Sequence, residues 1–145
     1  ALPLYIDDTP YISIDQLCCI AKGMKAKRGV DLVIVDYLQL LGVVAKHGRT
    51  REQEVSECTR KLKSLARMLD CPVIVSSQLN RQVESSYDHR PELRHLRESG
   101  AIEQDADLVL MLWCPDNGGS PRRELIVAKN RHGEITQGKE GIEFG

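Results

Sequence analysis

Aromatic side chains are scarce in this chain: four Tyr, one Trp and one Phe make up 4% of 145 residues. A core built from such a sequence must rest on aliphatic packing. An excess of one charge is also missing. Twenty Lys and Arg stand against 21 Asp and Glu, a formal net charge of -1. Bulk charge therefore does not point to nucleic acid, and any such contact must come from local basic residues or backbone amides. No C-x-x-C pair occurs among the five cysteines, Cys18, Cys19, Cys58, Cys71 and Cys114. An odd count without that spacing argues against a disulfide framework or a zinc site, fits a reducing cytosol, and reads most simply as small buried apolar residues. The four histidines, His47, His89, His95 and His132, lack ligand spacing. No apolar run approaches the ~20 residues that span a membrane. The start of the chain also lacks the basic-then-apolar layout of a signal peptide.

What is present is a regular alternation of strand and helix signals over a length that fits one domain or part of one. Leu2 to Ile6, broken by Pro3 and followed by Asp7-Asp8-Thr9-Pro10, reads as a strand running into a turn. Ser13-x-x-Gln16 is a capping box, with Ile12 and Leu17 placed for a hydrophobic staple. Ile14, Leu17, Cys18, Ala21 and Met24 then keep helical spacing, and Lys25, Lys27, Arg28 and Gly29 suit a helix end. Leu32-Val33-Ile34-Val35 is a continuous apolar run of the kind found in buried parallel strands, and it ends on Asp36. A loop from Val43 to Arg49 leads to a second capping box, Thr50-x-x-Gln53, and a helix with Val55, Cys58, Leu62, Leu65, Ala66 and Leu69 on its buried face. Pro72 opens the strand Val73-Ile74-Val75, which runs into Ser76-Ser77-Gln78. Asn80 to Gly100 is polar, with only short helical possibilities. Leu108 to Leu112 and Leu125 to Ala128 read as strands of a hairpin about the Asn117-Gly118-Gly119-Ser120-Pro121 turn, with a final short strand near Gly141 to Phe144. The fold class is α/β, with a sheet carrying helices on both faces. In such sheets ligands gather at the carboxyl ends of the strands, where Asp36 and Gln78 fall.

Asp36, after four apolar residues, stands where a Walker B aspartate holds Mg²⁺ or its water shell. Many strands end in Asp, however, and a carboxylate that caps a helix or fixes a loop is the plainer alternative. Four motifs in order bear on that choice. They are Asp36-Tyr37-Leu38-Gln39-Leu40, Ser76-Ser77-Gln78-Leu79-Asn80-Arg81, the run Leu96-Arg97-Glu98-Ser99-Gly100-Ala101-Ile102-Glu103-Gln104-Asp105-Ala106-Asp107, and Lys129-Asn130-Arg131-His132-Gly133. Together they resemble the DnaB-type hexameric replicative DNA helicases, from Tyr5-Ile6-Asp7-Asp8 to about Phe144.

The resemblance implies a RecA-like, mostly parallel sheet flanked by helices with a C-terminal β-hairpin. It makes Asp36 the Walker B metal residue. Gln78 becomes the switch that senses the γ-phosphate, a task suited to an amide that both donates and accepts; a loop-capping Gln is the alternative. Lys129 and Arg131 match the finger pair that reaches a neighbouring subunit's ATP. Residues at i and i+2 on a strand face one side, and a guanidinium stabilises charge on a transferring phosphoryl group; otherwise the pair reads as a solvated strand end. Arg97, Glu98 and Gly100 match the loop that follows single-stranded DNA along the central channel. The surrounding charges nearly balance, with Arg81, Arg90, Arg94 and Arg97 against Glu84, Asp88 and Glu92, and only Tyr87 is placed for stacking on a base. Weak contacts repeated around a ring would add.

The implied cofactors are ATP and Mg²⁺. The implied partners are single-stranded DNA, five further copies in a hexameric ring, primase and a helicase loader, in the cytoplasm on the nucleoid of a bacterium, a phage-infected cell or an organelle, with no membrane. One expected feature is missing: no G-x-x-x-x-G-K-[ST] occurs in the chain. The family carries that loop, and the glutamate that polarises the attacking water, upstream of the segment matched here, as it does the N-terminal scaffold domain that binds primase. Residues 1–145 are thus expected to form a partial motor domain from Walker B onward, inactive alone and exposing apolar faces of its sheet. The alternatives are a non-enzymatic assembly module and another RecA-like ATPase, such as a recombinase or a clock-type ATPase; the Leu96 to Asp107 run argues against the latter.

Overall fold

The structure, a computed structural model, describes residues 3–43, 48–85, 89–96, 99–114, 123–136 and 141–144. Helix α1 spans Ile14–Arg28 and helix α2 Arg51–Leu69. Both begin on the capping boxes read from sequence. Ser13 Oγ accepts from the Gln16 N–H at 3.2 Å, and the Ser13 N–H donates to Gln16 Oε1 at 3.0 Å. Thr50 and Gln53 repeat the exchange at 3.3 and 3.2 Å. These bonds satisfy amide groups that a helix start otherwise leaves open. α1 stops at Gly29, whose φ of 73° is open to glycine at little cost and whose N–H donates to the Lys25 carbonyl. α2 stops at Asp70 in the left-handed region.

Strands β1 (Val33–Val35) and β2 (Val73–Val75) pair in parallel, Val35 beside Val75. α3 is short, Ser99–Asp105. It leads into β3 (Leu108–Trp113), which pairs antiparallel with β4 (Arg123–Asn130), and β4 pairs with β5 (Ile142–Phe144). The expected hairpin and final strand are both present, while the Asn117–Pro121 turn lies outside the described residues. The strands fall into two hydrogen-bonded sets, a parallel pair and an antiparallel trio.

One core joins both sets. Ile14 of α1, Val55, Cys58 and Leu62 of α2, and Ile102 of α3 pack with Val35, Val109, Met111 and Ile126. A smaller cluster of Ala21, Leu65, Leu69 and Cys71 seals α1 against α2. The alternate strand residues point the other way: Ile34 is 66% exposed, Ile74 54% and Leu112 70%. Helices on both faces were expected. All three described helices instead contribute to the same core, and among the described residues nothing covers the opposite apolar face. The strand expected at Leu2–Ile6 is also absent from its described part. Residues 3–6 carry no ladder bonds, and Leu4 and Ile6 stand in solvent, because among the described residues no strand lies beside them. Cys58 and Cys71 are buried as expected, but Cys19 is exposed on the outer side of α1.

Candidate functional site

The parallel register of β1 and β2 sets Asp36 and Ser76 side by side at the carboxyl end of the pair. Ser76 Oγ donates to Asp36 Oδ1 at 2.5 Å. One carboxylate oxygen is thereby held, and the side chain as a whole is exposed. Among the described residues no three His, Cys, Asp or Glu side chains gather as a metal cage. A lone hard-oxygen ligand beside a polyphosphate suits Mg²⁺, which usually takes one or two carboxylates and fills its shell with water and phosphate oxygens. The residues present thus fit that ion.

Gln78 lies two residues beyond Ser76 on the same edge, exposed. Its position is set by Gln39, a residue that sequence reasoning quoted but gave no role. Residues Leu38–Leu40 form a 3-10 turn just after Asp36. From there Gln39 Nε2 donates to Ser77 Oγ at 3.0 Å, and Gln39 Oε1 accepts from the Gln78 N–H at 3.4 Å. Arg51, at the start of α2, donates to the Gln39 carbonyl at 2.8 Å. One amide thus bridges the two strand ends that carry the acidic and the amide candidates.

Lys129 lies at the end of β4 and Arg131 just beyond it, and both side chains turn to one side. They meet the C-terminal end of α3. Lys129 Nζ donates to the Ala106 carbonyl at 2.8 Å and also to that of Glu103. Arg131 donates from Nη1 to Asp107 Oδ1 at 2.9 Å and from Nη2 to the Gln104 carbonyl at 3.0 Å. Asp107 also pairs with Lys63 of α2, and Lys63 foremost holds its carboxyl below the usual carboxylate range. The same turn of α2 holds Asp105 through Thr59 Oγ1 at 2.5 Å. These contacts join elements far apart in the sequence. The signal for them was the alternation Asp105-Ala106-Asp107 against Thr59 and Lys63, which stand four apart on one helix face.

Asp36 and Gln78 are therefore together, and Lys129 and Arg131 are together. No hydrogen bond or ion pair among the described residues links the two groups. Arg97 and Glu98 lie outside the described residues. Gly100 is exposed in the first turn of α3, and a Cβ built there would meet nothing within 4 Å. Packing among the described residues does not require a glycine at that position.

The family model for the DnaB-like helicase C-terminal domain matches residues 1–142. The chain belongs to that family. It is 44% identical over 137 residues to the replicative DNA helicase DnaB of Geobacillus stearothermophilus, covering 91% of this chain and 30% of that protein. Against the replicative DNA helicase DnaC of Bacillus subtilis the identity is 42%, with the same coverage. A solved DnaB-like replicative helicase, described with its interactions with primase, superposes at a TM-score of 0.78 and 41% identity, over 86% of this chain and 31% of that one. A second solved structure, of an ATPase domain, superposes at 0.77 and 41%, over 86% and 46%. At these identities the α/β architecture is that of the RecA-like DnaB ATPase domain. The DnaB-like chain thus spans about a third of the length of the replicative helicases it matches.

Proposed function

We propose that this chain supplies the Walker B, sensor, DNA-loop and finger parts of an ATP-dependent 5′-to-3′ replicative DNA helicase motor that works as a hexameric ring. The observation that carries this reading is the shared strand edge of Asp36 and Gln78, bridged by Gln39 and Ser76. Asp36 would hold Mg²⁺ through its carboxylate. The ion, when bound, offsets charge on the β- and γ-phosphate oxygens of ATP. Gln78 orients water or phosphate oxygens at the same edge and passes their presence on to the polar 80–100 segment that follows it. Lys129 and Arg131 serve the ATP of an adjacent subunit. Arg97, Glu98 and the backbone at Gly100 follow the phosphates of single-stranded DNA without reading sequence.

On this reading residues 1–145 are part of a motor domain, and a phosphate-binding loop must come from elsewhere. Primase and a helicase loader are the partners of the assembled ring, which acts in the cytoplasm on the nucleoid of a bacterium, a phage-infected cell or an organelle. A rival reading, a non-catalytic assembly module, draws on the uncovered apolar face of β1, β2 and β3 and the absence of a G-x-x-x-x-G-K-[ST].

The first of two assays tests the missing phosphate loop, and the second separates the readings. The purified chain alone should release no phosphate from ATP above background, because nothing in it cradles the β- and γ-phosphates. A chimera in which this chain replaces the matching segment of the Geobacillus stearothermophilus helicase should hydrolyse ATP and unwind DNA. An assembled chimera without turnover would leave the non-catalytic reading standing.

A further inference from the structure

The contacts at the end of β4 assign unequal work to the two cations there. An α-helix leaves its last carbonyls without partners inside the helix and carries partial negative charge at that end. In α3 those carbonyls are taken by Lys129, through Glu103 and Ala106, and by Arg131, through Gln104. An ammonium has three donors and a guanidinium five. Lys129 commits two of its three to α3. Arg131 commits two of five, one to the Gln104 carbonyl and one to the Asp107 carboxylate. The plane of the Arg131 group is thereby fixed while donors remain for another anion. Its backbone is fixed as well, by the Arg131 N–H to the Asp107 carbonyl at 2.8 Å. Lys63 holds the other oxygen of Asp107 from α2.

We propose that Asp107 is a positioning residue, clamped by Lys63, that aims Arg131 and makes the end of β4 move with α3 as one body. Lys129 belongs to the same clamp, through the Glu103 and Ala106 carbonyls. Because α3 begins at Ser99, directly after Arg97 and Glu98, a shift of Arg131 on meeting phosphate is delivered to the segment read as the DNA loop. This rests on the finger and DNA-loop roles given above.

The chimeric helicase tests the role. Asp107→Asn keeps the shape and removes the charge, so Arg131 stays present but poorly aimed. The DNA-stimulated kcat should fall about tenfold or more, the scale of a misplaced catalytic group, while KM for ATP stays within about twofold. Asp107→Glu, which restores the charge, should recover part of the rate. If Arg131→Ala abolishes turnover but Asp107→Asn runs at the full rate, the positioning role is overturned and the finger reading survives. If Arg131→Ala itself runs at the full rate, the finger reading has failed. The chain alone tests the clamp, whether or not the Asn variant assembles into rings. Amide hydrogen exchange at Glu103 to Ala106 should quicken severalfold in Arg131→Ala, a change at a half-exposed side chain. Unchanged exchange would overturn the one-body coupling.

Discussion

Ser76 gives its hydroxyl hydrogen to Asp36 across 2.5 Å, tying together the ends of two adjacent parallel strands. Neither residue reaches the other along the sequence; the β1–β2 register makes the pair. A hydroxyl that holds one carboxylate oxygen orients the other and sets its basicity toward a cation. Ser76→Ala in the chimera should therefore raise the Mg²⁺ concentration for half-maximal ATPase by about tenfold, the lower end of such effects. Titration of turnover with MgCl₂ at saturating ATP reads this. An unchanged midpoint would detach Asp36 from metal binding.

Gln39 has its own expected effect. Its side chain makes two hydrogen bonds to the Ser77–Gln78 segment, each worth about 1 kcal/mol net and less where water competes. Gln39→Ala should lower Tm by about 3 °C, the shift expected for roughly 1 kcal/mol in a chain of this size. The accompanying NMR shift changes should concentrate at Ser77, Gln78 and Leu79. Changes spread evenly over β1 and α2 would show that the amide does not govern that strand end.

The sequence displays the two helix starts completely, because a capping box is local: Ser13 with Gln16 and Thr50 with Gln53 need only three residues of spacing. It displays the strand cores and the i, i+2 siding of Lys129 and Arg131 for the same reason. Pairings across distance are less visible. Apart from Pro3, little local distinguishes Leu2–Ile6, left without ladder bonds over its described residues, from Val33–Val35, which Val73–Val75 completes. The tie of Asp107 to Lys63 and Arg131 joins three separate elements, so it emerges only once α2, α3 and β4 are packed. The exposure of Ile34, Ile74 and Leu112 likewise depends on what lies over the sheet, which an apolar run cannot state.

The cysteines should differ in reactivity. Burial pushes the Cys58 thiol up to about 11, and the side chain is sealed beneath α2. Only the thiolate attacks a thiol reagent. At pH 8, therefore, Cys19 should be the first modified in the folded chain, and Cys58 should react only on unfolding. Peptide mapping after timed labelling checks the order. Early labelling of Cys58 would contradict the packing of α2 on the core.

Acid should loosen the contacts around α2. Lys61 and Arg49 hold Glu57 at about 2, far below its ordinary 4.5, and Lys63 holds Asp107 below its ordinary 3.8. A carboxyl whose folded value is depressed contributes stability that is complete above its unfolded value and lost as pH falls toward the folded one. Tm should thus be flat above about pH 5 and fall between about pH 4.5 and about pH 2. Glu57→Gln should lower the plateau and shallow that fall. A variant with the full wild-type slope would remove Glu57 from the account.

On the proposed function, one ATP is served by Asp36 and Gln78 from one subunit and by Arg131 from the next. Mixing two inactive chimeras tests it. Asp36→Asn subunits lack the metal carboxylate, and Arg131→Ala subunits lack the finger. Each ring alone should be silent. In mixed rings, an Arg131→Ala subunit beside an Asp36→Asn subunit forms an intact site at one of their two junction orders, so ATPase should reappear and peak near equal mixing. Silence at every ratio, with mixed rings verified by native mass spectrometry, would contradict the shared site.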